Sequence, residues 1–348
     1  MILPCAARSQ RVEKLADYAT LYACNSFQEA EEDHKRMRTI RQPDDAYVYT
    51  LSALHPPIAT VACHETVLIK TVDAFEGKLN SSDDLYSQKC PGPPRANPQT
   101  GPFVIEEAEP GDTLVVQIHN IEPAESFAVT ALIPEFGGLT GTSLTATLDE
   151  PLPESTRILP IEDGALRFND TISLPLEPFI GTLGTAPDLE AISSLVPGYW
   201  GGNMDCVETC AGSSVWLPVR NEGAYFFVGD AHACQGDGEL TGVAAEMSAR
   251  ITLSFALLKN RRIHWPRIET DEYLMAVGSA RPLEDAARIA WKELIFWLEE
   301  DYGFNKLEAY QLLGLAGKMR LGNMVDPNYS MVAKIAKRWL PTSKADSD

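Results

Sequence analysis

The run Val243–Phe255 alternates over its whole length. Val243, Ala245, Met247, Ala249, Ile251, Leu253 and Phe255 fall on one side of an extended chain, and Ala244, Glu246, Ser248, Arg250, Thr252 and Ser254 on the other. Side chains alternate with period two only in a strand, so this segment predicts a strand with one face in a core and one in a polar environment. Other runs point the same way. His64–Asp73 is rich in β-branched residues. Thr113–His119 follows the turn signal Pro110-Gly111-Asp112 and sets Leu114, Val116 and Ile118 on one face. Val215–Val219 and Ala224–Val228 flank Arg220-Asn221-Glu222-Gly223, which reads as a hairpin loop with glycine where positive φ is needed.

The texture changes toward the C-terminus. Pro282 can open a helix and Gly303 can close it. Between them Leu283, Ala286, Ala287, Ala290, Leu294, Trp297 and Leu298 form an apolar stripe at helical spacing. Asn305 with Glu308 resembles a capping box opening a second helix to about Leu315. The expected fold class is α+β. It has a predominantly β core of antiparallel sheets, sandwich-like or barrel-like, and a helical C-terminal segment. The expected domains are a polar, helical extension over 1–45, a β-rich catalytic core over 46–265, and a helical segment over 266–348 packed on that core. The extension could be a lid, an oligomer contact or a loosely docked arm.

Charge excludes one class of function. The formal net charge is −20 and no basic stripe is present, so nucleic acid is not an expected partner. No run of about 18 apolar residues predicts a membrane span. The start lacks the pattern of a signal peptide, and the seven cysteines are odd in number and scattered. Unpaired thiols in a reducing cytoplasm are the expected state, and Cys206 and Cys210 lack the second pair a structural zinc site needs.

The chemistry concentrates in Gly229–Glu239, which carries Asp230, His232, Asp237 and Glu239 directly after an apolar strand. In an extended chain Asp230 and His232 point the same way, and an imidazole beside a carboxylate can form part of a metal site. Gly236 and Gly238 permit sharp turns. The plain alternative is an acidic turn after a strand. Pro197–Asp205 is a Gly-rich loop, containing Trp200, Gly202 and Asn203 and ending in Asp205; it could equally be a turn with a capping carboxylate. Asp73 ends a strand and could be a ligand or a turn residue. Glu246 could be catalytic, or could pair with Arg250 on its own face. Cys234 is a conceivable nucleophile, although nearby carboxylates would raise its pKa. Ser213-Ser214 reads as a turn, and His55 and His119 as loop and strand-end residues.

Several separated motifs carry a resemblance. They are Asn97–Phe103, Glu109–Leu114, Phe179–Pro187, the run Pro197–Glu246, and Leu313–Pro327 with Ala316-Gly317-Lys318-Met319-Arg320 and Val325-Asp326-Pro327. Together, over roughly residues 46–340, they resemble the acetamidase/formamidase family. Lys318 stands where family members often carry an acidic residue, and residues 1–45 have no counterpart. The resemblance implies hydrolysis of small aliphatic amides to a carboxylate and ammonia, a divalent metal (zinc, with calcium as the alternative) and a homo-oligomer. On this reading Asp73, Asp205, Asp230 and His232 are the candidate metal ligands, with Asp230 as ligand or partner of the imidazole. Glu239 is the expected proton shuttle, with Glu246 and Asp237 as further catalytic candidates. Trp200, Gly202 and Asn203 are the expected substrate contacts. The alternatives are a hydrolase of another C–N bond, such as a larger amide or an amidine-like compound, and a non-catalytic ligand-binding relative.

Overall fold

The computed structural model describes residues 37–43, 46–139 and 153–343. The chain is α+β and dominated by strands. Nine strands form one sheet in the order Arg38–Arg41, Thr66–Thr71, Ala249–Leu258, Thr113–Pro123, Ser214–Pro218, Arg267–Glu269, Tyr273–Ala280, Tyr329–Ala336 and Lys318–Asn323. A second sheet places Phe127–Leu132, Glu246–Met247, Phe226–His232, Phe179–Gly184 and Gly201–Asn203 side by side. Gln99–Ile105 also pairs with Phe226–His232.

The two sheets share one core. Ile69, Leu114, Val116, Ile251 and Leu253 of the first meet Phe103, Ile180, Leu183, Phe226 and Val228 of the second. The Phe226 ring crosses the junction, 5.2 Å from Phe255 and 6.2 Å from Phe103. Such fully buried aromatics each remove on the order of 150–250 Å² from water, which makes this seam a large contributor to stability.

The alternating run does what its pattern predicts, with one addition. Glu246–Met247 pairs within the second sheet, and Ala249–Leu258 pairs within the first. The chain therefore passes from one sheet to the other at Ser248. Its apolar side, from Ala245 to Phe255, stays in the shared core throughout. The polar side is divided: Glu246 is buried in the second sheet, whereas Arg250 lies 3.6 Å from Glu122 and donates to the Pro123 carbonyl. The alternative reading of Glu246, a pair with Arg250, is not what forms.

Two local readings are corrected. Ser214–Pro218 and Phe226–His232 are not a hairpin, because they belong to different sheets. The loop between them crosses the sandwich, with Asn221 donating to the Ala186 and Pro187 carbonyls. Both strands have apolar partners elsewhere, and a short Gly-containing loop suits an arch as well as a hairpin. The segment after 266 is also less helical than expected. Arg267–Glu269, Tyr273–Ala280, Lys318–Asn323 and Tyr329–Ala336 are strands of the nine-stranded sheet. Tyr273–Ala280 is buried on both faces, so no strict alternation announces it, and Lys318–Asn323 is a half-exposed edge strand. In Tyr273–Ala280, Met275 and Val277 face the shared core while Leu274 and Ala276 face the helices. Of the helical extension expected over 1–45, residues 1–36 and 44–45 lie outside the described residues, and Arg38–Arg41 is an edge strand parallel to Thr66–Thr71.

The two expected helices are present. Leu283–Tyr302 follows Pro282 and ends at Gly303, whose φ of 75 gives the left-handed cap. Lys306–Ala316 opens on a complete Asn305–Glu308 capping box. Ala290, Leu294, Trp297 and Leu298 pack on Leu274, Ala276, Ala333 and Ile335. Gly278 permits the approach: a Cβ there would sit 2.2 Å from the Ala286 carbonyl oxygen. The buried guanidinium of Arg267 ties helix to sheet, donating to Glu293 at 2.8 Å and Glu300 at 2.9 Å. Among the described residues no helix is long and apolar enough to cross a membrane.

Candidate metal centre

Sheet register brings the site together. His232 ends its strand directly opposite Glu246, so their side chains share a face. Thr182 lies opposite Asn203 on one neighbour and Gly229 on the other. Asp205 follows the Gly201–Asn203 strand, and Glu239 follows the acidic loop. An isolated bridge between Gly238 and Asn323 holds that loop against the C-terminal strands and so brings Asp326 in.

The result is a closed acidic cluster. Asp205, Asp230, Glu239, Glu246 and Asp326 are all buried around the buried His232. His232 Nε2 lies 3.2 Å from Glu246 Oε2 and 3.4 Å from Asp230 Oδ1. Ligand atoms of Asp205, Asp230 and His232 lie within 4.8 Å of one another, as do those of His232, Glu239 and Glu246. A polar shell fixes the carboxylates. Asn97 Nδ2 donates to Asp230 Oδ2 at 3.2 Å, Asn203 Oδ1 at 2.9 Å and Thr182 Oγ1 at 3.0 Å. The Thr182 hydroxyl donates to Asn203, and lies 3.1 Å from Asp230 Oδ2. Asn203 Nδ2 donates to Asp326 at 2.8 Å, and Asn323 Nδ2 to Asp205 at 3.3 Å. Glu246 Oε1 accepts from the Ala244 amide at 2.9 Å.

Backbone strain marks the same residues. Asn97, Asp205, Asp230 and Glu239 have φ of 59, 47, 56 and 48. The left-handed region costs an L-residue on the order of 1 kcal/mol or more, and such strain persists where the surroundings over-determine it. At Asp230 it turns the carboxylate of a strand residue toward Asp205.

Two observations test whether these residues suit a cation. Asp205 Oδ1, His232 Nε2 and Glu246 Oε2 are buried without a hydrogen-bond partner. Nε2 and Oε2 are close, yet they are not aligned as donor and acceptor. Atoms that converge without bonding one another are arranged as ligands are around an ion. Charge gives the second observation: among the described residues none of the five carboxyls forms an ion pair with a lysine or arginine. Burying ionised carboxylates without a counter-charge is prohibitive, so the cluster must hold protons or a cation. The donor set of carboxylate oxygens with one imidazole nitrogen fits a hard or borderline divalent ion.

Protonation follows this logic. Burial, reinforced by Asp230, pushes the Asp205 carboxyl up to about 8. Burial raises Glu246 to about 7, with Asp230 adding to the rise and His232 opposing it. Burial and then Asp205 push Glu239 well above the ordinary range, and burial with Asp205 and Glu239 does the same to Asp326. Burial would lower the His232 imidazole, but Glu246 and Asp230 outweigh it and favour the charged ring.

Not every expected residue is in the cluster. Asp73 is buried, but Oδ1 accepts from the Phe75 and Gly77 amides at 2.8 and 3.0 Å, and Oδ2 lies 3.4 Å from the Ser248 hydroxyl. It holds a turn and belongs to neither ligand group. Asp237 is exposed and bound to Arg320 at 2.6 Å. Gly202 has φ of 83, and a Cβ there would lie 2.6 Å from the Val196 carbonyl oxygen and 2.9 Å from Trp200 Nε1, so the glycine admits both the loop backbone and the indole. That indole N–H is buried without a partner. Burial raises the Cys234 thiol, which disfavours a thiolate nucleophile. Asn97, Thr182, Gln235, Asn323 and Asp326 were missed as site residues. The signal for all five is their place in the family-like motifs or the acidic segment.

The profile of the Acetamidase/Formamidase family matches residues 50–196 and 189–342. The chain belongs to the acetamidase/formamidase family. Acetamidase of Yersinia enterocolitica, known from a crystal structure, is 43% identical, with 88% of this chain and 93% of that one covered and a TM-score of 0.84. A formamidase-like protein of Schizosaccharomyces pombe is 27% identical over 252 residues, 56% of this chain. Mycolicibacterium smegmatis acetamidase is 26% identical over 261 residues, 59% of this chain. The chain spans 60% and 64% of the length of these two curated relatives. The family matches reach across both sheets and both helices, so all five buried carboxylates lie within them.

Proposed function

We propose that this protein hydrolyses small aliphatic amides, of the acetamide and formamide type, to a carboxylate and ammonia with the help of a divalent cation. The observation that carries the reading is the set of five buried carboxyls around one imidazole, with Asp205 Oδ1, His232 Nε2 and Glu246 Oε2 left without hydrogen-bond partners. The relatives' names supply the substrate class. Asp205, Asp230 and His232 are assigned as the residues that hold the cation, zinc being the first choice and calcium the alternative. Both ligand groups share His232, and its Nδ1 is already engaged by Gln235, so the two describe alternative seats for one ion. When bound, the cation would supply Lewis acidity toward water and the amide carbonyl.

The residues would divide the remaining work. Glu239 takes the proton of the attacking water and returns it to the departing nitrogen, so the C–N bond breaks to ammonia rather than to an amide anion. Glu246, anchored through Oε1 to the Ala244 amide, serves as a fixed ligand or as a second base. The unpartnered Trp200 indole N–H is a donor available to the substrate. Asn203 holds the polar shell against Asp326. The burial that excludes bulk water also suits a small substrate rather than a long one.

Glu239→Gln tests the assignment. We expect kcat for formamide and acetamide to fall by about 10²–10⁴-fold with the metal content unchanged. Ammonia release measured alongside metal analysis decides it, since wild-type turnover in a fully loaded variant removes Glu239 from the mechanism. A homo-oligomer and a cytoplasmic location are proposed on the same family grounds. Exposed Leu307, Tyr310 and Leu315 on the second helix support a subunit contact, which sedimentation velocity would test. The absence of disulfides among the described cysteines fits a reducing compartment.

A further inference from the structure

We infer that Gln235 is a positioning residue that fixes the tautomer of His232 and aims its Nε2 lone pair into the acidic cluster. The inference rests on His232 being a ligand, as proposed above. Gln235 Nε2 faces two backbone carbonyls, Asp205 O at 2.9 Å and Gly322 O at 3.1 Å. Carbonyl oxygens only accept, so the NH₂ end of the amide must point at them. A flipped amide would set its oxygen against both and lose two hydrogen bonds. The Oε1 end is therefore the one that meets His232 Nδ1, at 3.0 Å. An amide oxygen only accepts, so Nδ1 must carry a hydrogen.

The consequence falls on the other nitrogen. With Nδ1 protonated, Nε2 either carries the second ring proton or, when a cation is bound, presents a bare lone pair. That atom faces Asp230 Oδ1 and Glu246 Oε2 without an aligned hydrogen bond. Facing two carboxylates, Nε2 needs one or the other, a proton or a cation. The Phe179 ring stands edge-on to the imidazole, with centroids 5.0 Å apart and planes at 90°, and limits its rotation. Gln235 also binds the carbonyl of Asp205, a second assigned ligand, and that of Gly322 beside Asn323. One side chain thus sets the ring and braces the Asp205 backbone. Outer partners of this kind are worth about 10–100-fold in metal affinity.

Zinc affinity, measured by competition with a chromophoric chelator, tests this in metal-stripped wild type, Gln235→Leu and His232→Ala. Gln235→Leu should bind zinc about 10–100-fold more weakly. In ¹⁵N-histidine-labelled, zinc-loaded wild type, the His232 resonances, assigned by their loss in His232→Ala, should show hydrogen on Nδ1 and zinc on Nε2. Unchanged affinity in Gln235→Leu, or hydrogen on Nε2 in the loaded protein, would overturn the inference. If Gln235→Leu fails to fold, the wild-type spectrum still decides. A His232→Ala protein that binds zinc as tightly as wild type would sink the metal reading itself. Loss of affinity in His232→Ala alone would sink only the role of Gln235.

Discussion

Metal-stripped protein is expected to lose amide hydrolysis and to become less stable as pH rises from 6 to 9. The sign follows from the carboxyls. In the unfolded chain Asp and Glu titrate near 4. In the fold, burial and mutual repulsion raise Asp205 to about 8 and Glu246 to about 7, and push Glu239 and Asp326 higher than their ordinary range. A raised pKa contributes stability that is fully present below the unfolded value and lost as pH rises through the folded one. His232, also raised, acts in the same direction. Burial would raise Asp230, but His232 and its hydrogen-bond donors hold it low, so it is ionised in both states and adds no slope in this window. The metal-free protein should therefore lose on the order of 10 °C in Tm across this window. Restoring the cation should flatten the curve, because the ion replaces the protons as counter-charge. Calorimetric scans at fixed salt, with and without zinc, measure this directly. A pH-independent Tm in the stripped protein would show that these carboxyls do not carry the strain assigned to them. Cation affinity should also tighten between pH 6 and 8, since binding must displace protons from Asp205 and Glu246.

Gly181→Ala is expected to remove activity and to strain the strand pair that carries the site. A Cβ at Gly181 would lie 2.8 Å from the Asp230 carbonyl oxygen and 2.8 Å from each of two carboxylate oxygens, Asp205 Oδ1 and Asp230 Oδ2. These are the two carboxylates assigned to the cation. The Gly181 backbone is not in the left-handed region, so alanine meets no conformational penalty there. Its methyl instead pushes apart groups that must close on an ion. A displacement near 1 Å costs about 10²-fold in rate, and loss of the ligand geometry costs more. We expect turnover to fall at least about 10²-fold, with bound metal reduced and the far-ultraviolet circular dichroism unchanged. Full metal content with wild-type turnover would place the cation elsewhere.

How far the site could be read from the chain depended on distance along it. Asp230 and His232 were legible because period-two spacing puts them on one face. Glu239 and Asp205 stood out as carboxylates beside glycines, and Glu246 as a charge within an apolar run. Asp73 and Asp237 have the same local appearance, yet one holds a turn and the other pairs with Arg320 at the surface. Nothing local separates a carboxylate that binds backbone amides from one that faces other buried carboxylates. Asn97, Thr182 and Asp326 were hidden for a related reason, since each acts only through partners far away in sequence.

Taken alone, the sequence determined the elements whose physics is local. The alternating run had to be a strand, and the helix limits at Gly303 and at Asn305–Glu308 follow from caps made within a few residues. It also determined that metal-capable groups gather after an apolar strand. Tertiary structure decided the rest. It split Val243–Phe255 between two sheets at Ser248, and it turned an apparent hairpin into an arch. It paired His232 with Glu246, and it carried Asp326 across the fold to Asn203. Those outcomes depend on which strands pair and in what register, a choice made by burying one shared core. The acidic cluster is a product of that choice, for its carboxyls repel one another and are held together only because the sheets that carry them gain more by packing.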